Sequence, residues 1–339
     1  MRSVKLDAYK GFACIFVVFI HCVFPGVLGN VVKGAARFAV PLFFMWAGYY
    51  CYCNNSDITP YILKKVKHVL VLLFAGSLPW ILYEFVMNCF VGNTITIGEF
   101  LKRFFAVENF KDMLLWNNLS GFLGGGGVLW FVVALLYCYL GYGILVKLKL
   151  VKFTPYLIVV LLILHQLIAL RVIVDSANYN VMYETNYWFF GFPMFSLGQQ
   201  IRQQDLPAVL ARKGIRCSAW IVLGFVVSMV ECMIYSSSLY FGSILVAMMM
   251  VCDSQMVQSE NRITEIMAYI GNKLSFTVYI MHYMVMVLLD KIFPKVLGWN
   301  SFGGSYMRPV IVLAVTLVFA LFYVLVKERA GYVYQKNHQ

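Results

Sequence analysis

Ten apolar stretches of roughly membrane-spanning length follow one another along this chain, at about 9–29, 37–53, 68–90, 128–146, 155–173, 187–201, 217–235, 239–254, 272–290 and 308–326. A helix needs roughly 20 such residues to cross the hydrocarbon core, and fewer where protein neighbours cover it. Of the 339 residues, 62% are hydrophobic and only 12% charged, with a mean hydropathy of +0.78. No water-soluble interior accommodates that much apolar surface, which excludes an ordinary globular enzyme, a disordered chain and a nucleic-acid reader. The expected fold is all-α: a polytopic transmembrane helical bundle forming one integral-membrane domain over 1–339. The sixth and eighth stretches are short and carry Gly191, Pro193, Ser196, Gly198, Gly242 and Ser243. They are expected inside the bundle, where small residues let helices approach closely.

Charge placement sets the expected orientation. With ten spans and both termini in the cytoplasm, 18 of the 27 Lys and Arg residues fall on the inner side, among them Arg2, Lys5, Lys10, Lys64, Lys65, Lys67, Lys147, Lys149 and Lys152. Nine fall outside, including Lys33, Arg37, Arg103 and Arg308. That asymmetry follows the positive-inside rule, so the net charge of +12 reads as topology and not as a nucleic-acid footprint. Arg2 and Lys5 before an apolar run resemble a signal peptide. No small-x-small cleavage site follows, so the segment reads as an uncleaved first span. The connection at 91–127 is amphipathic around Phe100–Phe105 and ends in Gly124–Gly127, which reads as an interfacial helix and a flexible entry into the next span. The nine cysteines, Cys51 and Cys53 included, show no paired metal spacing and read as small core residues; no metal site is expected.

Ionisable groups inside spans are costly and therefore mark function. His21, His165 and His282 each fall about ten residues into a span, on three separate helices. Lys10 and His21 are eleven residues apart, three helical turns and about 16 Å, so they share a helix face. Asp7 and Lys10 form an i,i+3 pair at the helix start, where Asp7 also suits the positive end of the helix dipole or a cap. His165 reads as a bundle contact.

These residues resemble the membrane acyltransferase 3 family. Asp7, Lys10, Gly11 and His21 match its D-x-x-R-G start and R-x10-H spacing, with Lys in place of Arg. Arg37-x-x-Val40-Pro41-x-Phe43-Phe44-x-x-Ala47-Gly48-Tyr49 is similar to its R-x-x-V-P-x-F-F-x-x-S-G-[FY] motif; Ala47 replaces Ser, so no hydroxyl role carries over there. Trp130-Phe131 resembles its mid-chain W-F pair, and Gly271-x-x-x-Ser275-x-x-x-Tyr279-x-x-His282 resembles its late G-x-x-S-x-x-x-Y-x-x-H signature, with one residue more between the Gly and the Ser. The motifs cover nearly the whole chain in the family's order. The chain resembles stand-alone members, without an appended extracytoplasmic domain.

The resemblance implies an O-acyltransferase of the bacterial cytoplasmic membrane. It would move an acyl group, usually acetyl, from cytoplasmic acyl-coenzyme A as co-substrate to a hydroxyl of an envelope carbohydrate or lipid-linked sugar. His21 would be the general base, since an imidazole titrates near working pH. Lys10 either positions the His21 helix, pairs with a coenzyme phosphate or bridges to Asp7. Lys64, Lys65 and Lys67 suit the coenzyme's phosphates and equally suit membrane anchoring. Arg37 is placed at the acceptor mouth by the family match. Trp130 and Tyr279 are candidates for lining a sugar or pantetheine channel, and Ser275, Tyr279, His282 or Glu84 for steadying the His21 charge. Glu84 and Glu231, in the outer parts of the third and seventh spans, are candidate acceptor-binding or His-orienting carboxylates without a motif. The competing reading is a transporter or flippase of envelope-glycan intermediates, which short Gly- and Pro-containing helices also fit; no repeat relates the two halves. Cysteine labelling of residues 147–154 should find them accessible from the cytoplasmic side, and outside labelling would overturn the orientation.

Overall fold

The computed structural model describes residues 3–52, 58–91, 95–176, 179–256 and 261–336. Arg2 and Cys53 lie outside these. Among the described residues, sixteen α-helices run in the order α1 (Val4–His21), α2 (Gly26–Ala36), α3 (Ala39–Cys51), α4 (Thr59–Val86), α5 (Ile97–Phe104), α6 (Val107–Trp116), α7 (Ser120–Leu123) and α8 (Trp130–Lys147). They continue as α9 (Thr154–Ala169), α10 (Phe192–Gln203), α11 (Leu206–Arg212), α12 (Cys217–Ile234), α13 (Phe241–Asp253), α14 (Arg262–Tyr269), α15 (Ser275–Leu297) and α16 (Met307–Lys336). Wide π-turns at Met87–Val91, Tyr187–Gly191 and Ile270–Leu274 extend or join helices.

The architecture is a helical membrane bundle. Among the described residues, seven helical stretches are long and apolar enough to cross a bilayer: Gly26–Cys51, Thr59–Val91, Ser120–Lys147, Val151–Ala169, Cys217–Ile234, Arg262–Leu297 and Met307–Arg329. Their outer faces display apolar side chains, such as Phe74, Leu78 and Leu82 on α4 and Val318 and Phe322 on α16. Only lipid tolerates such rows at i,i+4 spacing. The short α10 and α13 are buried along most of their length.

The first span differs from expectation. The apolar run continues to residue 29, but α1 ends at His21. Pro25 is extended and Gly26 has φ +62°, a conformation that stops one helix and starts the next. Arg37 accordingly lies at the junction of α2 and α3, not at the start of a fresh span. The α1 cap also differs: Ser3, not Asp7, accepts the Leu6 N–H, while Asp7 sits buried in the first turn. The expected flexible tetraglycine is folded as a 3₁₀ turn, Gly124–Leu129. The eight cysteines among the described residues are free thiols, seven of them buried.

Two close crossings hold the central helices. A side chain on Gly11 would collide with the Met267 carbonyl, and one on Gly271 with the Asp7 carbonyl, so α1 meets the α14–α15 rod backbone to backbone. Gly48 and Gly198 do the same for α3 and α10, against the carbonyls of Phe195 and Met45. The N-terminus of α1 is tied to the end of α13, where Lys5 reaches Asp253 at 2.6 Å and Ser3 donates to the Ser254 carbonyl. At the other end of the bundle, Arg308 grips Asp290 through two bonds of 2.8 and 2.7 Å.

A carboxylate network braces the loops between α9 and α10 and between α12 and α13. Glu184, buried at 1% exposure, accepts bonds from the Tyr179 hydroxyl, Arg171 Nη1, the Ser238 N–H and Ser237 Oγ. Burial pushes its carboxyl up, but the Tyr179 and Ser238 bonds, with the His165 and Arg171 contributions, outweigh it and hold the group below the usual carboxylate range. Such a group stabilises the fold above its unfolded pKa and loses that contribution as pH falls through the lower folded value.

Two measurements follow from this packing. Gly11→Leu should cost roughly 1–3 kcal/mol by overpacking and lower the thermal midpoint in detergent. Gly98→Ala, where a side chain meets nothing within 4 Å, should not lower it. Glu184→Gln should cost about 1–3 kcal/mol at neutral pH, and the acid-side fall in stability should be smaller in the variant than in the wild type.

Candidate functional site

One face of α1 carries Lys10, Cys14, Val17 and His21 in sequence, and cavities follow that face from end to end. At the N-terminal end, a cavity of about 500 Å³ is lined by Ser3, Lys10, Tyr49 and Arg202, among others. A neighbouring one of about 730 Å³ adds Lys5, Asp205, Arg216 and Asp253. Lys10 lies 3.6 Å from the Asp7 carboxylate and 5.9 Å from the centre of the Trp46 ring. Arg202 donates to the Tyr49 hydroxyl at 3.0 Å.

Farther along α1, an apolar slot of about 180 Å³ is walled by Cys14, Val17, Phe43, Phe131, Phe276 and Tyr279 and ends on His21. Beyond His21 a more polar cavity of about 440 Å³ opens, lined by Lys33, Arg37, Ser120, the Gly124–Gly127 turn, Thr185, Ser238 and Tyr283. His21, Val40, Val128 and Trp130 border both. Of these four, only His21 can exchange a proton. No carboxylate among the described residues lines either cavity.

His21 is the last residue of α1, where unpaired carbonyls concentrate partial negative charge. Its ring centre is 5.2 Å from that of His282 and 5.7 Å from that of Tyr283. His282 points Nδ1 at the carbonyls of Val278 and Tyr279, at 3.1 and 2.8 Å. A carbonyl only accepts, so Nδ1 carries the proton and Nε2 presents a lone pair. That buried Nε2 has no hydrogen-bond partner among the described residues. Tyr279 donates its hydroxyl to the Val128 carbonyl at 2.7 Å, and Ser275 donates to the Gly271 carbonyl. Both side chains thus anchor the slot's walls.

The structure gathers Lys10, His21, Arg37, Trp130, Ser275, Tyr279 and His282 along this path, the last through its contact with His21. It does not bring the others there. Lys64 and Lys67 are exposed on α4, Lys65 stacks over Tyr61 at 5.3 Å, and none lines these cavities. Glu84 lies behind the Gly124 turn, bonded to Asn88 at 3.0 Å. Glu231 accepts the N–H groups of Phe241 and Gly242 and so caps α13. His165 is fully buried against Ser237, apart from the cavities. Lys33, Ser238, Tyr283 and Arg202 line the path without having been marked by any motif, whereas Tyr49 closes the Arg37–Tyr49 motif. Lys33 was readable as a cation four residues before Arg37; the others come from segments that meet only in three dimensions.

No curated protein and no solved structure matches the chain significantly. Residues 3–327, nearly the whole length, match the family model described as an acyltransferase domain. This helical membrane bundle, whose sequence motifs gather around one histidine, thus belongs to the acyltransferase 3 family.

Proposed function

We propose that this acyltransferase uses an acyl-coenzyme A donor, acetyl-coenzyme A first among them, and an envelope carbohydrate or lipid-linked sugar as acceptor. The observation that carries the reading is the position of His21, the one proton-exchanging group common to the apolar slot and the polar cavity. In this reading the N-terminal end of α1 faces the cytoplasm in the bacterial inner membrane. The coenzyme's phosphates sit at the vestibule of Lys10, Arg202 and Arg216, and the pantetheine arm follows Cys14 and Val17 to His21. The distance from Lys10 to His21 along α1, about 16 Å, suits an extended arm of that kind.

The chemistry balances around one imidazole. The acceptor hydroxyl gives its proton to His21 as its oxygen attacks the thioester carbonyl. The tetrahedral intermediate collapses with loss of the C–S bond, and the departing thiolate takes the proton back from His21. The new C–O bond completes the ester. Positive charge that develops on His21 is met by the carbonyl end of α1, an interaction of about 0.3–1 kcal/mol in ordinary settings and about 2 kcal/mol in favourable ones. In this reading the imidazole of His282, its ring centre 5.2 Å from that of His21, steadies the orientation of the His21 ring. His282 is a positioning residue in this scheme.

Purified protein with labelled acetyl-coenzyme A and a crude envelope-glycan fraction tests the reading. His21→Ala should lower transfer about 10²–10⁴-fold with donor binding retained, and His282→Ala should lower it less. Full turnover by folded His21→Ala would refute it.

A further inference from the structure

The polar cavity beyond His21 holds charge of one sign. Lys33 and Arg37 both line it, four residues apart at the end of α2 and therefore on the same face. Neither makes an ion pair among the described residues. Arg37 Nε is buried without a hydrogen-bond partner, and so is the Ser238 hydroxyl on the same wall, in a residue only 4% exposed. The carboxylate close by, Glu184, is already committed to Tyr179, Arg171, Ser237 and Ser238. The opposite end of α1 is different, since Lys5 pairs with Asp253 and Lys10 with Asp7.

Two adjacent cations repel each other, and a partly buried cation without a partner is unfavourable in apolar surroundings. An arrangement of this kind is stable in use when a ligand supplies the missing negative charge. Charge-assisted bonds from an Arg and a Lys to a carboxylate or phosphate are among the strongest available, and a free hydroxyl beside them adds a donor.

We propose that the acceptor is anionic: the sugar presented to His21 bears a carboxylate or phosphate, and Lys33, Arg37 and Ser238 bind it. This rests on the acyltransferase reading and narrows its acceptor class. The anion fixes the acceptor's orientation, so that one hydroxyl points at the imidazole and the others do not. Neutral sugars of the same size lose the interaction and leave the two cations uncompensated.

Matched acceptors test the proposal with the full-length protein in detergent: a glucuronic-acid oligosaccharide against its glucose counterpart, and a glycosyl phosphate against the corresponding methyl glycoside. Acetyl transfer and ligand-induced thermal shift are both read. Wild type should favour at least one charged member by about tenfold or more in kcat/KM, and the preferred pair tells carboxylate from phosphate. The preference should shrink with added salt, collapse in Lys33→Gln and survive in Lys33→Arg, which also controls for folding. Equal use of charged and neutral acceptors, or an unchanged preference in Lys33→Gln, overturns the proposal and leaves the acyltransferase reading standing. Charged acceptors that shift the melting point without being acylated sustain the anion site and count against the transfer reaction. Neither shift nor transfer with any acceptor overturns both.

Discussion

Helix α1 must end inside the bundle, and the way it ends organises the site. The apolar sequence runs on past His21, but Pro25 and the positive φ of Gly26 break the ladder. The Cys22 N–H still closes on the Val18 carbonyl at 2.8 Å, and the carbonyls after it have no further turn to receive them. In hydrocarbon such a frayed end would be prohibitive. Here it faces cavities on either side, which is where unpaired backbone groups are tolerated. The break thus creates a polar opening and sets an imidazole at its rim. It also sends the chain back as α2, which delivers Lys33 and Arg37 to the same opening.

Much of this was legible from the sequence, for a definable reason. Each run of chemistry-bearing residues lies on one helix at a spacing that the helix alone converts into a shared face. Lys10 and His21 on α1, and Ser275, Tyr279 and His282 on α15, are of this type. The composition likewise pointed to a helical membrane bundle, because only helices and closed barrels satisfy the backbone in lipid and the long unbroken apolar runs fit helices. What was lost depends on tertiary meetings. Glu184 sits in a connection that reads as solvated loop, and nothing in its neighbours announces the four donors that converge on it. Lys64, Lys65 and Lys67 formed the most conspicuous cationic cluster, yet the vestibule is built from Arg202, Arg216 and Tyr49, contributed by separate segments. The early end of α1 was present in the Pro25-Gly26 pair, a strong breaker outweighed by hydrophobic continuity on both sides.

The cavities differ in a way the family match does not specify. At one end of α1 every lysine has an acidic neighbour, and the site has the character of a reversible gripping surface. The middle is lined by aromatic rings and closes tightly. At the far end the cations are left open. A molecule that passes through thus meets balanced charge, then none, then an excess. Each zone selects a different part of the reacting pair, and His21 is where the second and third meet.

The π-turn at Ile270–Leu274 separates two tasks that one regular helix could not perform together. The start of the rod, from Met267 on α14 to Gly271 at the beginning of the turn, is committed to the backbone contact with α1. The α15 side must aim His282 at His21. A π-turn admits one residue more than an α-turn, and each residue of an α-helix advances the face by about 100°. Without that extra residue, α15 would emerge rotated by about this angle, and its imidazole would turn away from His21. The wide turn is a phase shifter: it lets the contact surface and the reactive surface of a single rod be set independently, at the cost of one regular hydrogen-bond repeat.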